Sequence, residues 1–410
     1  MVVRKKFLIW TPIIYLTYTL GVLLYLLVLH DPGVPQAAEG SAADPAQFLG
    51  TREAEEIREY ATLRHLLYLL TLPVEWLIYT GVLVSGLAYT LKKAAFSKLP
   101  LYVFFLSGLV WVLTLPVSYA GRRLSLSYDV SVEPFSKWLQ DHIISFSLDT
   151  LMMITAALVL YRLIRMSAQR WWLYAWLLLV PFLAFFMYIQ PVLIDPLYNE
   201  FDRLSDSRLE ERILSLAGGS GVPADRVYVV DKSEETNALN AYVNGIGDNL
   251  RIVLWDTTLR SLEEEEVLFI MAHEIGHYVK NHLLKSLFGV LAGSFIGLYL
   301  LYRLLPVLLH RFGSSFRIKG TGDIASLPLI LLLVSLLSFL AQPVEMAVSR
   351  QAERAADEYA LEQTGDPDAA VGAFQEMIRH GKSDVHPPAL IKYLRYGHPT
   401  MLERIRKAEE

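Results

Sequence analysis

Seven long apolar stretches divide the chain, at approximately 7–29, 66–90, 99–120, 146–166, 171–190, 284–309 and 325–345. Each is close to the roughly 20 residues that an α-helix needs to cross the hydrocarbon core of a bilayer. The first follows Arg4, Lys5 and Lys6, as in a secretory signal, but exceeds the roughly 7–15 apolar residues of such a signal. The pattern therefore predicts seven transmembrane helices, of which the first is retained.

Two polar segments, 191–283 and 346–410, follow the fifth and the seventh apolar stretches. An even number of predicted spans separates them, so both lie on the same side of the membrane and can build one site. We predict a five-span membrane region at 1–190, a catalytic segment at 191–283, spans six and seven at 284–345, and a C-terminal catalytic segment at 346–410.

Local patterns within the first polar segment predict a small α+β unit. The stretch 207–217 has the periodicity of an amphipathic helix. The β-branched runs 227–230 and 252–255 are typical of strands, and 237–244 is predicted to be extended. Ser261 and Glu264 have the spacing of a capping box at the start of the next helix.

The sixth apolar stretch carries Gly289, Gly293 and Gly297, each one turn after the last. Small residues at this spacing can let another helix approach closely, although glycine is also common in membrane helices for other reasons. The pattern leaves both interpretations open.

The composition agrees with a membrane protein and narrows its chemistry. The chain is 53% hydrophobic with a mean hydropathy of +0.35, and its net charge of −5 gives no reason to expect a nucleic-acid partner. It contains no cysteine, which excludes disulfides, thiolate catalysis and thiolate metal ligands. A bound metal must therefore use histidine and carboxylate ligands, which suits Zn²⁺ in a hydrolytic site.

The sequence His273-Glu274-Ile275-Gly276-His277 is an HExxH motif on the predicted helix before span six. Two imidazoles four residues apart lie on one helix face and can share a Zn²⁺ ion. Glu274 is then placed to act as general base, taking a proton from water and returning it to the leaving amine. The pattern predicts a zinc peptidase.

A third ligand must come from elsewhere in the chain. Glu353 and Asp357 lie four residues apart after span seven, so both carboxylates share one helix face. One can bind the metal while the other orients a ligand imidazole. Glu345 and Glu358 are rival ligands by position, and the spacing alone leaves the choice open.

A structural zinc site would need a fourth protein ligand, and His282 follows His277 by five residues. On a continuous helix five residues correspond to a rotation of about 140° beyond a full turn, so His282 is predicted to point away from His277.

Two further stretches are candidates for substrate binding. His398 lies in a turn-like segment and can donate a hydrogen bond to the oxyanion of a tetrahedral intermediate. The extended residues Asn240, Ala241 and Tyr242 can pair with a substrate peptide as an added strand, with Asn240 also holding its backbone.

At these residues the sequence resembles the M48 family of zinc metalloproteases, and especially its type I CAAX prenyl proteases. The resemblance extends over about 190–282 and 346–406, while the first 190 residues agree only in carrying five spans. The resembling stretches are 195–199, 229–231, 240–242, 251–257, the HExxH helix, 349–357, 398–400 and 403–404.

The resemblance implies that His273, His277 and Glu353 bind one zinc ion and that Glu274 is the general base. It places Asp357 at an acidic position often described as a proton donor; from its spacing we interpret Asp357 instead as the partner of a zinc-bound imidazole.

The resemblance also assigns His398 and Asn240 to the substrate backbone and oxyanion. It implies a mostly α integral membrane protein in which seven transmembrane helices enclose a water-filled chamber. A zincin-like α+β catalytic domain, formed from the two polar segments, closes one end. The expected partners are membrane lipid and a peptide or protein substrate, C-terminally prenylated in the type I enzymes.

Departures from the family pattern bear on the substrate. Arg354 stands where the family often has an aromatic residue, and Val243 and Asn244 follow Tyr242 where aromatic residues are common. A quality-control protease resembling HtpX, without prenyl specificity, is therefore an alternative. A non-catalytic, zinc-stabilised chamber that binds lipid or peptide is a second alternative.

The distribution of Lys and Arg and the family resemblance predict opposite orientations of the chain in the membrane. Most Lys and Arg residues of the short loops lie on the N-terminal side, which would place the catalytic segments outside the cell. In the resembled family the active site faces or opens towards the cytoplasm. We follow the family and expect a cytoplasmic catalytic side.

Overall fold

The computed structural model describes residues 2–30, 33–245 and 250–410. Within these ranges, seven helices are long and apolar enough to cross a membrane, which confirms the predicted number of spans. The helices are Lys6–Leu29, Thr51–Ser85, Leu99–Ser127, Phe135–Met166, Trp171–Leu197, His282–Phe316 and Ile324–Thr364.

Large apolar side chains cover the outside of these helices. Phe288 is 70% exposed and Leu340 is 71% exposed, and the other spans carry similar residues. A contiguous apolar surface of this kind is not stable in water, so it identifies the lipid-facing belt. The chain is therefore a mostly α-helical membrane protein whose spans surround a chamber.

The α-helices of the described residues, in chain order, are as follows. They are α1 Val2–Leu24, α2 Pro45–Phe48, α3 Thr51–Thr71, α4 Val74–Ser85, α5 Leu87–Ala94, α6 Leu99–Ser127, α7 Phe135–Met166, α8 Trp171–Ile189, α9 Ser207–Gly219, α10 Asp256–Ser261, α11 Glu264–Val279, α12 His282–Phe316, α13 Leu327–Thr364, α14 Pro367–Gly381, α15 Ala389–Arg395 and α16 Met401–Glu409.

A small mixed sheet lies in the first polar segment. Its strands are β1 Phe201–Arg203, β2 Val227–Val230, β3 Ala241–Asn244 and β4 Arg251–Trp255, in the order β1-β2-β4-β3. The β2 and β4 strands are parallel, and β3 pairs antiparallel with β4. The predicted strands are confirmed, β1 was not predicted, and β3 is an edge strand in the described part of the sheet.

The two polar segments share one hydrophobic core with the sheet. Phe269 of α11 meets Phe374 of α14 edge-to-face, with ring centroids 5.4 Å apart. The connection between the first two spans packs on the same core, where the side-chain amide of Gln375 donates to the carbonyl of Ala42 at 2.8 Å. This core is thus assembled from three separate parts of the chain.

The start of α11 differs from the predicted capping box. Ser261 is the last residue of α10, so it is not available to cap the next helix, and the prediction was wrong. Glu263 caps α11 instead, and its backbone N–H donates to the Glu266 carboxylate at 2.9 Å. The acidic first turn still faces the positive end of the helix dipole.

The helices α11 and α13 cross in close contact at Gly276. A Cβ atom at this position would lie 3.0 Å from Cδ1 of Tyr359 and 3.4 Å from Cα of Ala356. Only glycine allows this approach without displacing α13. Because Glu353 lies one turn before Ala356, the close crossing brings the polar residues of both helices together.

Gly276→Ala is expected to destabilise the protein by about 1–3 kcal/mol through overpacking, despite the better helix propensity of alanine. It should also weaken metal binding, because α13 must move. Thermal unfolding in detergent and metal content measure both effects. Gly293→Ala is the matched control, since no described atom lies within 4 Å of its added Cβ. An unchanged melting temperature for Gly276→Ala would contradict this account.

The glycines of α12 do not mark a second close crossing. Apart from the neighbouring backbone of α12 itself, no heavy atom of the described residues lies within 4 Å of a Cβ built at Gly289, Gly293 or Gly297. The interpretation of this ridge as a helix contact is therefore wrong within the described chain, and the common occurrence of glycine in membrane helices accounts for it.

Candidate active site

The helix crossing brings three metal-binding side chains together. The Nε2 atoms of His273 and His277 are 3.2 Å apart. The carboxylate of Glu353, on α13, lies 3.2 Å from Nε2 of His273 and 3.4 Å from Nε2 of His277. These are the atoms through which each side chain would bind a metal, and they point towards one another.

The spacing of these atoms fits a tetrahedral zinc ion. With Zn–N and Zn–O bonds of about 2.0–2.1 Å, tetrahedral ligand atoms are roughly 3.4 Å apart. The observed separations between His273, His277 and Glu353 are 3.2–3.4 Å. Two imidazole nitrogens and one carboxylate oxygen are one of the donor sets found in catalytic zinc sites, which keep the fourth position for water or substrate.

The rival carboxylates lie elsewhere. Within the described residues, Glu353 lies close enough to His273 and His277 to share a metal ion with them. Neither Glu345 nor Glu358 belongs to this group. Glu345 lines a cavity between α4 and α13, and Glu358 is exposed. Of the acids considered on α13, the structure brings only Glu353 to the two Nε2 atoms.

Asp357 lies behind the His273 ring. Its Oδ1 is 2.8 Å from Nδ1 of His273, on the side of the ring opposite Glu353. Arg404 of α16 holds the same carboxylate with two hydrogen bonds, from Nε at 2.9 Å and from Nη2 at 2.6 Å. The guanidinium stacks over the ring of Phe374 at 4.3 Å. This buried arrangement restricts the rotation of the His273 ring.

The carboxylates of Asp357 and Glu353 also favour the protonated form of His273. Burial disfavours its protonated form, but hydrogen bonds to Asp357 and Glu353 raise its pKa to about 9. A metal ion must therefore displace a proton from this ring over much of the neutral range.

Arg404 was not predicted as a site residue; it entered the sequence analysis only as part of a resembling stretch. Arg404→Leu is expected to cost about 3–5 kcal/mol, because it leaves the buried Asp357 carboxylate unpaired. Metal affinity should fall with it. Arg406→Leu, which removes an exposed arginine from the same helix, is the control. Unfolding and metal titration measure both, and equal stability of the two variants would refute the role of Arg404.

Glu274 lies beside the same group of side chains. Burial raises the pKa of Glu274, while the charges of His273 and His277 act in the opposite direction. A raised pKa makes the carboxylate a stronger base towards water.

His398 lies at an accessible side of the site, and β3 contacts the HExxH helix α11. The exposed His398 ring places Nδ1 2.7 Å from a carboxylate oxygen of Glu353. Asn240 immediately precedes β3, and its carbonyl accepts a hydrogen bond from the backbone N–H of Trp255 at 3.0 Å. The Asn240 side chain is exposed, Ala241 is buried and Tyr242 is half-buried.

The prediction for His282 was wrong. Its ring lies against His277, with the two Nδ1 atoms 3.0 Å apart. The reason is a break in the helix: α11 ends at Val279, Asn281 adopts a left-handed φ of 56°, and α12 begins at His282. His282 thus lies behind His277 and does not join Glu353 around the two Nε2 atoms.

Two family models match this chain along most of its length. The family model of peptidase family M48 matches residues 203–410. The model described as CAAX prenyl protease N-terminal, five membrane helices, matches residues 26–200.

Individual relatives and a solved structure are similar to this chain over most of its length. An uncharacterized metalloprotease, YhfN, from Bacillus subtilis (strain 168) is 42% identical over 99% of this chain and 97% of its own. CAAX prenyl protease 1 of Saccharomyces cerevisiae is 29% identical over 73% of this chain and 69% of its own. The crystal structure of Ste24p from S. mikatae has the same fold, with a TM-score of 0.80, 23% identity and coverage of 100% of this chain and 98% of that one.

The fold and the site together define an integral, multi-pass membrane metalloendopeptidase, which acts on peptide or protein substrates. The chain belongs to peptidase family M48. Membership of this family implies a metal ion and favours an enzyme over the non-catalytic chamber considered above.

Proposed function

We propose that the protein is a zinc endopeptidase of the type I CAAX prenyl protease kind, in which His273, His277 and Glu353 hold the zinc ion. The convergence of their ligand atoms at 3.2–3.4 Å carries this proposal. When bound, the metal polarises the scissile carbonyl and favours deprotonation of water at the open position.

The side chains of the protein move the proton and hold the rings in place. Glu274 takes the proton of the attacking water and delivers it to the leaving amine. Asp357 accepts a hydrogen bond from Nδ1–H of His273, and Arg404 fixes Asp357, so we assign Asp357 to orientation of the ring rather than to proton donation.

The substrate is expected to add a strand to the sheet. Because β3 is an edge strand that contacts α11, an extended peptide paired with Ala241–Asn244 would pass beside the HExxH helix. Asn240 would hold the peptide backbone at the start of this strand. His398 would leave Glu353 and donate to the oxyanion as charge develops on the scissile carbonyl.

A prenylated substrate is supported by a membrane-level cavity of about 450 Å³ between α4 and α13. Its lining is mixed: the apolar side chains of Trp76, Phe339 and Met346 share it with the acids Glu75 and Glu345 and with the amide of Gln342. Met346 precedes Glu353 by seven residues on one helix, a rise of about 10 Å. An isoprenyl chain in this cavity would thus lie within a few residues' length of the scissile bond.

Two peptides of identical sequence, one with a farnesylated C-terminal cysteine motif and one without it, test the substrate class. A prenyl protease should cleave the farnesylated peptide with a kcat/KM roughly tenfold higher or more, which requires only about 1.4 kcal/mol of additional binding in the transition state. Equal rates would argue for the quality-control alternative.

The catalytic side is proposed to face the cytoplasm. Since the chain has no cysteine, single-cysteine variants report sidedness without background labelling. Asp225→Cys lies on the catalytic side and Phe96→Cys in the loop on the other side, and both positions are exposed. An impermeant maleimide added to intact cells should label only the Phe96 variant. The reverse pattern would place the active site outside, as the Lys and Arg distribution predicts.

A further inference from the structure

The junction between α11 and α12 holds an imidazole behind His277. The left-handed Asn281 interrupts the helix here, and the His282 ring meets the His277 ring with centroids 5.0 Å apart and planes inclined by 72°. The two Nδ1 nitrogens are 3.0 Å apart. The His282 side chain is buried, so bulk water does not compete freely for this contact.

The contact specifies the tautomers of both rings. A hydrogen bond between two ring nitrogens needs one that carries a proton and one that does not. His277 directs Nε2 towards Glu353 at 3.4 Å and towards Nε2 of His273 at 3.2 Å. If Nε2 binds the metal, the ring proton is on Nδ1, and Nδ1 of His282 must be the acceptor.

The two metal-facing imidazoles are therefore supported differently. Nδ1 of His273 faces the carboxylate of Asp357 at 2.8 Å, whereas Nδ1 of His277 faces the uncharged acceptor of His282. A neutral acceptor orients the His277 ring without adding negative charge to the site. An acceptor behind a metal-bound histidine commonly contributes about 10–100-fold to metal affinity.

We propose that His282 is a positioning residue: its Nδ1 accepts a hydrogen bond from Nδ1–H of His277 and thereby holds Nε2 of that ring towards the metal. This inference rests on the proposed function, in which His277 is a metal ligand. The proposal predicts that zinc binding requires a hydrogen-bond acceptor at the position that Nδ1 of His282 occupies.

Three substitutions separate this role from packing. In His282→Asn the side-chain oxygen can take the place of Nδ1, in His282→Gln the amide lies further out, and in His282→Leu the acceptor is lost. His386→Leu, at an exposed histidine, is the matched control. Zinc affinity is measured by competition with a chromophoric chelator, and the visible spectrum of the Co²⁺-substituted protein reports the ligand geometry independently of activity.

The Leu and Gln variants should bind zinc about 10–100-fold more weakly and show an altered Co²⁺ spectrum. The Asn variant and the His386→Leu control should stay close to the parent. Melting temperatures of the metal-free proteins show whether each variant folds. Should His282→Leu fail to fold, the contrast between Asn and Gln still decides.

A His277→Ala variant distinguishes failure of the proposed metal site from failure of the proposed role of His282. If that variant keeps the parent's zinc affinity, the proposed function itself fails. If it loses zinc while His282→Leu and His282→Gln bind as the parent does, only the role of His282 is overturned. Equal losses in His282→Asn and His282→Leu would also overturn it, because an acceptor would then not be what matters.

Discussion

Glu274→Gln is expected to lower kcat by about 10²–10⁴-fold while the protein still binds zinc. The amide has nearly the same shape as the carboxylate but cannot take a proton from water. The imidazoles and Glu353 remain in place, so metal content should be unchanged. Peptide cleavage and metal analysis of the same preparation measure the two quantities together.

The control for this variant is Glu265→Gln, an exposed glutamate on the same helix that pairs with Arg212 on the surface. It should retain the activity of the parent, since exposed ion pairs contribute little to stability. Persistent cleavage by Glu274→Gln would refute the assignment of Glu274 as the base, and loss of zinc from it would contradict the expectation that Glu274 is not needed for metal binding.

Local sequence patterns predicted much of this architecture. Spans are recognisable because each is a continuous apolar run of membrane length, and β2 and β4 because each is a short β-branched run. The three residues of β1 have too little pattern to be recognised. The HExxH spacing places two imidazoles on one face by helix geometry alone.

The remainder of the site depends on tertiary contacts that spacing does not encode. Four acids near α13 were plausible ligands, and only the crossing at Gly276 shows that Glu353 faces the imidazoles. Arg404 reaches Asp357 from a different helix. His282 was mispredicted because a single left-handed residue, Asn281, ended the helix that the prediction had continued.

Glu353→Gln is expected to abolish stoichiometric zinc binding, because a neutral amide is a poor ligand compared with a carboxylate. Its effect on stability follows from linkage. A metal present at about 1,000 times its Kd stabilises the native state by about 4 kcal/mol, and the variant should lose that contribution. The melting temperature of the parent should therefore fall on chelation, and that of the variant should not respond to chelator or to added zinc.

Glu358→Gln provides the matched comparison, because this exposed residue lies on the same helix and was a rival ligand by sequence. It should keep one zinc ion per chain and the parent's response to chelation. The comparison also separates metal loss from simple destabilisation: a Glu353→Gln protein that melts like the chelated parent has lost the ion, whereas one that melts far below it has lost the fold. Retention of stoichiometric zinc by Glu353→Gln would mean that the carboxylate 3.2 Å from His273 is not a ligand, and the proposed metal site would have to be rebuilt around other residues.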